Sequence, residues 1–169
     1  SNILKSQKFF FKDTIIKKFK TKEIDNRISN FIFSINTKNI IYSGYPGVII
    51  KNSKLLKNKN LIHSHPGKIP EYKGSTTIYY SILKEKKIYC STFILNDKLD
   101  SGKVLLVKKY PIPKDIKHIN GKYDDKIRSL NMLKVLSGLN SRPKISQKKS
   151  NPYYVIHPLL RAIVFKQNK

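Results

Sequence analysis

The sequence predicts an α/β domain, and three observations predict it. Short runs rich in β-forming residues, at 39–45, 61–62, 87–95 and 103–110, alternate with stretches whose apolar residues recur at helical spacing. The chain has 169 residues, 39% of them hydrophobic, which is enough for one core and unlike a disordered composition. One stiff, non-repetitive segment, residues 63–74, follows an apolar run, the usual arrangement of a functional loop on a rigid scaffold.

Residues 1 to about 22 are rich in Lys and Phe and show no clean period. Ile24, Ile28, Phe31 and Ile32 recur at helical spacing, so 23–36 reads as an amphipathic helix with Glu23 and Asp25 in its first turn. Residues 39–45 read as a short buried strand ending at Gly44, 53–59 as a short helix, and Leu61-Ile62 as a strand delivering the next residues to a loop. Ser75 is placed to cap a helix from Thr76 to about Glu85, with Ile78, Ser81 and Ile82 facing inward. Residues 87–95 and 103–110 alternate and flank the turn-forming 96–102, a hairpin or neighbouring strands. Residues 124–139 carry Ile127, Leu130, Leu133, Val135 and Leu136 and read as a helix with Gly138 near its end. The polar segment 140–151, with Pro143, reads as a linker, and the apolar tail 153–165 as docking back on the domain. The chain thus divides into an α/β domain, 1–139, and a linker with a C-terminal helical tail, 140–169.

The formal net charge is +25. Alone it points to nucleic acid or another polyanion. Nearly all the cations are Lys spread through every segment, so a general Lys-rich surface explains it as well. Zinc-finger spacing and aromatic-glycine RNA-binding signatures are absent from the sequence, as are a signal peptide and an apolar run long enough to span a bilayer. Cys90 is the sole cysteine, which excludes an intrachain disulfide and fits a reducing, cytoplasmic setting.

The segment His63-Ser64-His65-Pro66-Gly67-Lys68-Ile69-Pro70-Glu71-Tyr72-Lys73-Gly74 concentrates restricted backbone and titratable chemistry. In extended chain, residues i and i+2 share a face, so His63 and His65 project together. Pro66 and Pro70 fix φ, while Gly67 and Gly74 open conformations closed to other residues. The stretch resembles the folate-dependent formyltransferase family, in which Asn-x-His-Pro is followed by Leu-Pro-x-Tyr-Arg-Gly and then Leu-Asp-x-Gly. The matching residues are His65-Pro66, Ile69-Pro70, Tyr72-Lys73-Gly74 and Leu99-Asp100-Ser101-Gly102. Residues 40–45 and 48–50 resemble the family's upstream strand and loop, and the likeness runs from about Ile24 to about Pro113. Where the family has its catalytic Asn, this chain has His63.

The resemblance implies a Rossmann-like formyltransferase core, incomplete or trimmed at its N-terminal side, with the site at the carboxyl ends of the strands. It implies 10-formyltetrahydrofolate as co-substrate, its pterin lying between Gly44-Tyr45 and the segment Asn96, Asp97 and Leu99. It implies His65 and Asp100 as catalytic residues, with His63 in the place of the amide. Formyl transfer needs a donor for the oxyanion and a base for the amine proton. His65 suits the first task and Asp100 the second, and His63 is expected to replace the Asn as an N–H donor, since a neutral imidazole keeps one N–H. The implied acceptor is a small-molecule amine, an amino sugar on a nucleotide in polysaccharide synthesis. The aminoacyl end of initiator tRNA is the alternative. Two other classes stay open. His-x-His is also zinc-ligand spacing, but the zinc-dependent isopeptidases need a Ser and a ligand Asp where this chain has Lys73 and Thr76, so no metal is expected. A non-catalytic, polyanion-binding remnant is the other. Asp100 could also be a plain Asx-turn residue. Ser64 reads as a loop residue pointing away from the histidines, His118 and His157 as surface or packing groups, and Cys90 as core.

Overall fold

The computed structural model describes residues 17–21, 23–44, 49–138 and 151–168. Tyr45 and residues 140–150 of the expected linker 140–151 lie outside them.

Helix α1 (Asn26–Ser34) begins three residues later than its periodicity suggests. Asp25 is not in its first turn but caps it, accepting from the Ile28 amide at 3.0 Å, and Glu23 lies upstream of the helix. Strand β1 (Asn39–Ile41) is shorter than expected and is not buried. It pairs with one neighbour only among the described residues, and Ile41 is 53% exposed. Helix α2 (Ser53–Asn58) is capped by Asn52, whose Oδ1 accepts from Leu55 N at 2.9 Å and whose Nδ2 donates to Ser29 Oγ at 3.0 Å. One side chain thus starts α2 and ties it to α1.

Strand β2 (Asn60–His65) carries both histidines of the His-x-His motif on the strand itself rather than in a following loop. Helix α3 (Thr77–Glu85) starts one residue later than expected, and Ser75 does not cap it. Thr76 holds the N-cap position with φ 50° and without a side-chain cap bond, because the C-terminal tail takes these groups instead. Thr76 Oγ1 accepts from Ile156 N at 2.8 Å, and Ser75 N donates to Tyr153 O at 2.8 Å. A tertiary contact has displaced a local cap. Strands β3 (Ile88–Leu95) and β4 (Gly102–Tyr110) form an antiparallel hairpin with an irregularity at Thr92/Phe93.

A 3-10 turn, Ile116–His118, and a kinked turn, Ile119–Tyr123, lead into helix α4 (Asp124–Leu136). Its buried stripe is Ile127, Asn131 and Val135. Leu130 and Leu133 face outward, the latter 63% exposed, and a polar residue, Asn131, holds the central core position. The last helix, α5 (Pro158–Gln167), brings Val164 into the main core.

The sheet runs β1-β2-β3-β4, with β1 parallel to β2 and the other pairs antiparallel. Alternation along β2 decides what packs where. Leu61 joins Ile32, Ile50 and Leu55 beneath α1 and α2, whereas Ile62 joins Leu105 and Val135 beneath α4. A larger core gathers Ile78, Tyr79 and Ile82 of α3 with Ile88, Cys90, Ile116, Ile127, Ile156 and Val164. Cys90 is buried, and that burial pushes its thiol above its usual range. Among the described residues, no helix is long and apolar enough to cross a membrane.

Candidate active site

A cavity of about 560 Å³ opens at the carboxyl end of β2. Its walls hold Gly44, His63, His65, Asn96, Leu99 and Asp100, six of the eight residues expected to form a site. Tyr45 is outside the described residues. Asp97 is exposed and does not line the cavity. Asn96 Oδ1 accepts from Lys98 N at 3.0 Å and from Ser101 Oγ at 2.9 Å, a local turn that sends Asp97 outward.

His65 ends β2 and is 5% exposed. Its Nε2 lies 3.0 Å from Tyr72 O and 3.3 Å from Thr77 Oγ1. The Thr77 hydroxyl donates to Pro66 O at 2.6 Å, and a carbonyl only accepts, so Nε2 carries the proton. Nδ1 faces Asp100 Oδ2 across 3.6 Å, inside ion-pair range and beyond a direct hydrogen bond. Asp100 Oδ2 is fixed by the Gly74 amide at 2.7 Å, and Asp100 itself holds φ 42°, a region that Asp tolerates better than most residues. Gly67 allows the loop to close over the imidazole. A Cβ there would sit 2.2 Å from Tyr72 O and 2.7 Å from His65 Nε2. Gly102, with φ 127°, carries the chain straight back into β4 past Ile94 O.

His63 Nδ1 lies 3.1 Å from Tyr42 O, so this nitrogen donates. Burial holds the imidazole below its ordinary range, and the charges of His65 and Arg128 push the same way against the Tyr42 carbonyl and Asp100. The ring is therefore neutral near pH 7, and its one N–H is committed to Tyr42. Acting as the expected oxyanion donor would require the other tautomer, which gives up this bond. The Nε2 lone pair, without a hydrogen-bond partner among the described residues, is the chemistry that His63 offers the cavity. The ring is held between Tyr42 and Phe93, with centroids 5.9 and 5.8 Å away.

Two parts of the wall escaped the sequence reading. Asp124 and Arg128 reach the cavity from the first turns of α4, paired at 3.3 Å. Their i, i+4 spacing was visible, but it is equally the pattern of a surface pair. Burial raises the Asp124 carboxyl above its ordinary range, opposed by Arg128. Residues 152–155 form the opposite wall. Tyr153 bridges Gly74, donating from its amide to Lys73 O at 2.7 Å, and its ring lies 4.4 Å from that of Tyr80. Ser64 lies on β2 rather than in a loop and is bonded to Thr92 Oγ1 at 2.7 Å on the face opposite the histidines. His118 and His157 are exposed, and His157 Nδ1 caps α5. Among the described residues, no group of three or more His, Cys, Asp or Glu is placed to hold a metal ion.

No family model matches the chain. Over 94 residues it is 30% identical to the methionyl-tRNA formyltransferase of Finegoldia magna, covering 54% of this chain and 30% of that protein. In structure it resembles a sugar N-formyltransferase from a Shewanella species, with a TM-score of 0.56 and 21% identity over 83% of this chain and 63% of that one. It also resembles the formyltransferase PseJ of Anoxybacillus kamchatkensis, described in complex with UDP-4,6-dideoxy-4-formamido-L-AltNAc and tetrahydrofolate. The TM-score there is 0.53 and the identity 18%, over 90% of this chain and 80% of that one. The chain thus spans under a third of the curated relative and under two thirds of the Shewanella enzyme. Its fold is the α/β fold of the formyltransferases.

Proposed function

We propose that this chain serves a folate-dependent N-formyltransferase, passing a formyl group from 10-formyltetrahydrofolate to the amine of an amino-sugar nucleotide. The observation that carries the proposal is the convergence of His63, His65 and Asp100 on one cavity, on a formyltransferase fold. The likeness to a sugar N-formyltransferase and to PseJ, whose structure holds tetrahydrofolate and a formylated UDP-sugar, supports both the donor and the acceptor class. The pterin belongs beside Gly44, Asn96 and Leu99, with the formyl carbon turned toward the histidines.

The amine nitrogen attacks the formyl carbon, a C–N bond forms, and charge gathers on the formyl oxygen. His63 Nε2 is the base that takes the amine proton, because its other nitrogen already donates to Tyr42 O. That proton is then returned to the departing N10 as its bond to the formyl carbon breaks, which leaves a formamide and tetrahydrofolate. His65 stands beside the site where the oxyanion develops and stabilises it, and Asp100, fixed by the Gly74 amide, holds the imidazole in place. A reducing, cytoplasmic setting belongs to the same proposal and rests on Cys90 being the sole cysteine and buried. The initiator-tRNA acceptor remains the second reading, favoured by the sequence match to a methionyl-tRNA formyltransferase and by the +25 charge.

Calorimetry of the natural protein with 5-formyltetrahydrofolate, a stable analogue of the donor, tests the proposal. The expected result is a saturable heat that excess tetrahydrofolate displaces. No heat from folded protein overturns the donor assignment.

A further inference from the structure

Two cations line the cavity among the described residues, the exposed Lys98 and the half-buried Arg128. A guanidinium carries five N–H donors in a planar fork. Among the described residues, Arg128 has one hydrogen-bonding partner, Asp124, met by Nη1 at 3.3 Å. Its side chain is 30% exposed. Asp124 sits one turn earlier on α4 and is itself mostly covered, with Oδ1 buried and unbonded. The pair is therefore an anchored arginine, held through Nη1 by Asp124 in the cavity wall. Asp100, the other carboxylate of the wall, is fixed by the Gly74 amide and faces His65. The remaining donors fit an oxyanion brought by the ligand, which a guanidinium binds in bidentate fashion.

Position decides which ligand. Arg128 lines the same cavity as His63, the residue assigned above to the attacking amine. We propose that Arg128, anchored by Asp124, binds a phosphate oxyanion of the acceptor. This rests on the formyl-transfer reading of the same cavity and assigns the residue that recognises the acceptor's phosphate.

The test is calorimetry of the natural protein at fixed ionic strength with UDP, uridine, inorganic pyrophosphate and 5-formyltetrahydrofolate. UDP is expected to bind more tightly than uridine. Arg128→Gln is expected to weaken UDP and pyrophosphate about tenfold or more, the scale of a charge-assisted bidentate contact. Uridine and 5-formyltetrahydrofolate should stay within about twofold. Lys126→Gln removes an exposed charge from the same helix and should change nothing, which separates a site from general attraction to a basic protein. Arg128→Gln leaves Asp124 buried and unpaired. The double variant Asp124→Asn with Arg128→Gln removes both charges and must show the same loss.

Unchanged UDP binding in Arg128→Gln, an equal loss in Lys126→Gln, or no binding of UDP and pyrophosphate by the wild type overturns the proposal. A loss confined to 5-formyltetrahydrofolate, and absent with a pteroyl analogue lacking the glutamate, assigns the anion to the folate tail and also overturns it. If the wild type binds UDP through Arg128 but ignores 5-formyltetrahydrofolate, the phosphate site stands and the formyl-transfer reading fails.

Discussion

His63 stands where the formyltransferases carry an amide, and the Tyr42 carbonyl decides what it can do. A donor and a base predict opposite outcomes for the same substitution. His63→Asn restores the family's amide, so a donor role predicts near-normal turnover. With the proton of Nδ1 directed at Tyr42, His63→Asn should instead lose about 10²–10⁴ in kcat, the usual range for a general base. The wild-type rate should fall on the acid side, below the ordinary imidazole range, and that limb should vanish in the variant. Stability gives a second readout. Burial depresses the folded-state value of His63, so the unfolded chain takes up the proton first as the pH falls. The contribution is present above the unfolded imidazole value of about 6.5 and is lost as the pH drops through the lower folded value. Urea midpoints measured from pH 7.5 downward should decline more steeply in wild type than in His63→Asn. The His65-Pro66 and Asp100-Ser101-Gly102 motifs were legible because proline fixes the backbone and glycine opens conformations closed to other residues. The direction of the His63 proton was not, because it depends on a carbonyl 21 residues upstream.

Helix α4 carries the polar centre of the molecule. Asn131 Nδ2 donates to Thr92 Oγ1 at 2.9 Å and to Cys90 O at 3.2 Å, while its Oδ1 accepts from Tyr110 OH at 3.3 Å. Ser64 completes the network through Thr92. Asn131→Leu should cost about 1–3 kcal/mol in chemical denaturation, because it strands buried partners rather than merely deleting a bond. Burial pushes the Tyr110 phenol up to about 12, and it should remain unionised through any ordinary assay range. The helix was legible from periodicity, but its inward face was not. The alternation on β2 and β3 places Ser64 and Thr92 opposite α4, where an amide satisfies them and a leucine does not. The start of α3 was misread for a related reason. Ser75 and Thr76 have the chemistry of caps, yet Tyr153 and Ile156, far along the chain, claim their backbone and hydroxyl groups. Long-range pairing of this kind leaves no periodic trace.

At the scale of the whole molecule, a mixed four-stranded sheet with helices on both faces places one cavity at the end of the strand that bears the histidines. That grouping was expected from the resemblance alone; the antiparallel register sets the end of β3 against the first half of β2, and the Gly74 amide bonded to Asp100 Oδ2 is what joins the two loops. The tail wall at 152–155 and the Asp124–Arg128 pair were not anticipated, because each is defined only by packing across the fold. The excess of 35 Lys and Arg over 10 Asp and Glu gives the molecule a positive field that favours anionic acceptors and weakens with salt. The account as a whole is tested most directly by mass spectrometry of amino-sugar nucleotides incubated with the natural protein and 10-formyltetrahydrofolate. It predicts one formyl group added per acceptor amine, tetrahydrofolate released in equal amount, and a rate reduced about 10²-fold or more in Asp100→Asn. Acceptors that remain unmodified, from folded protein that binds 5-formyltetrahydrofolate and UDP, would contradict it.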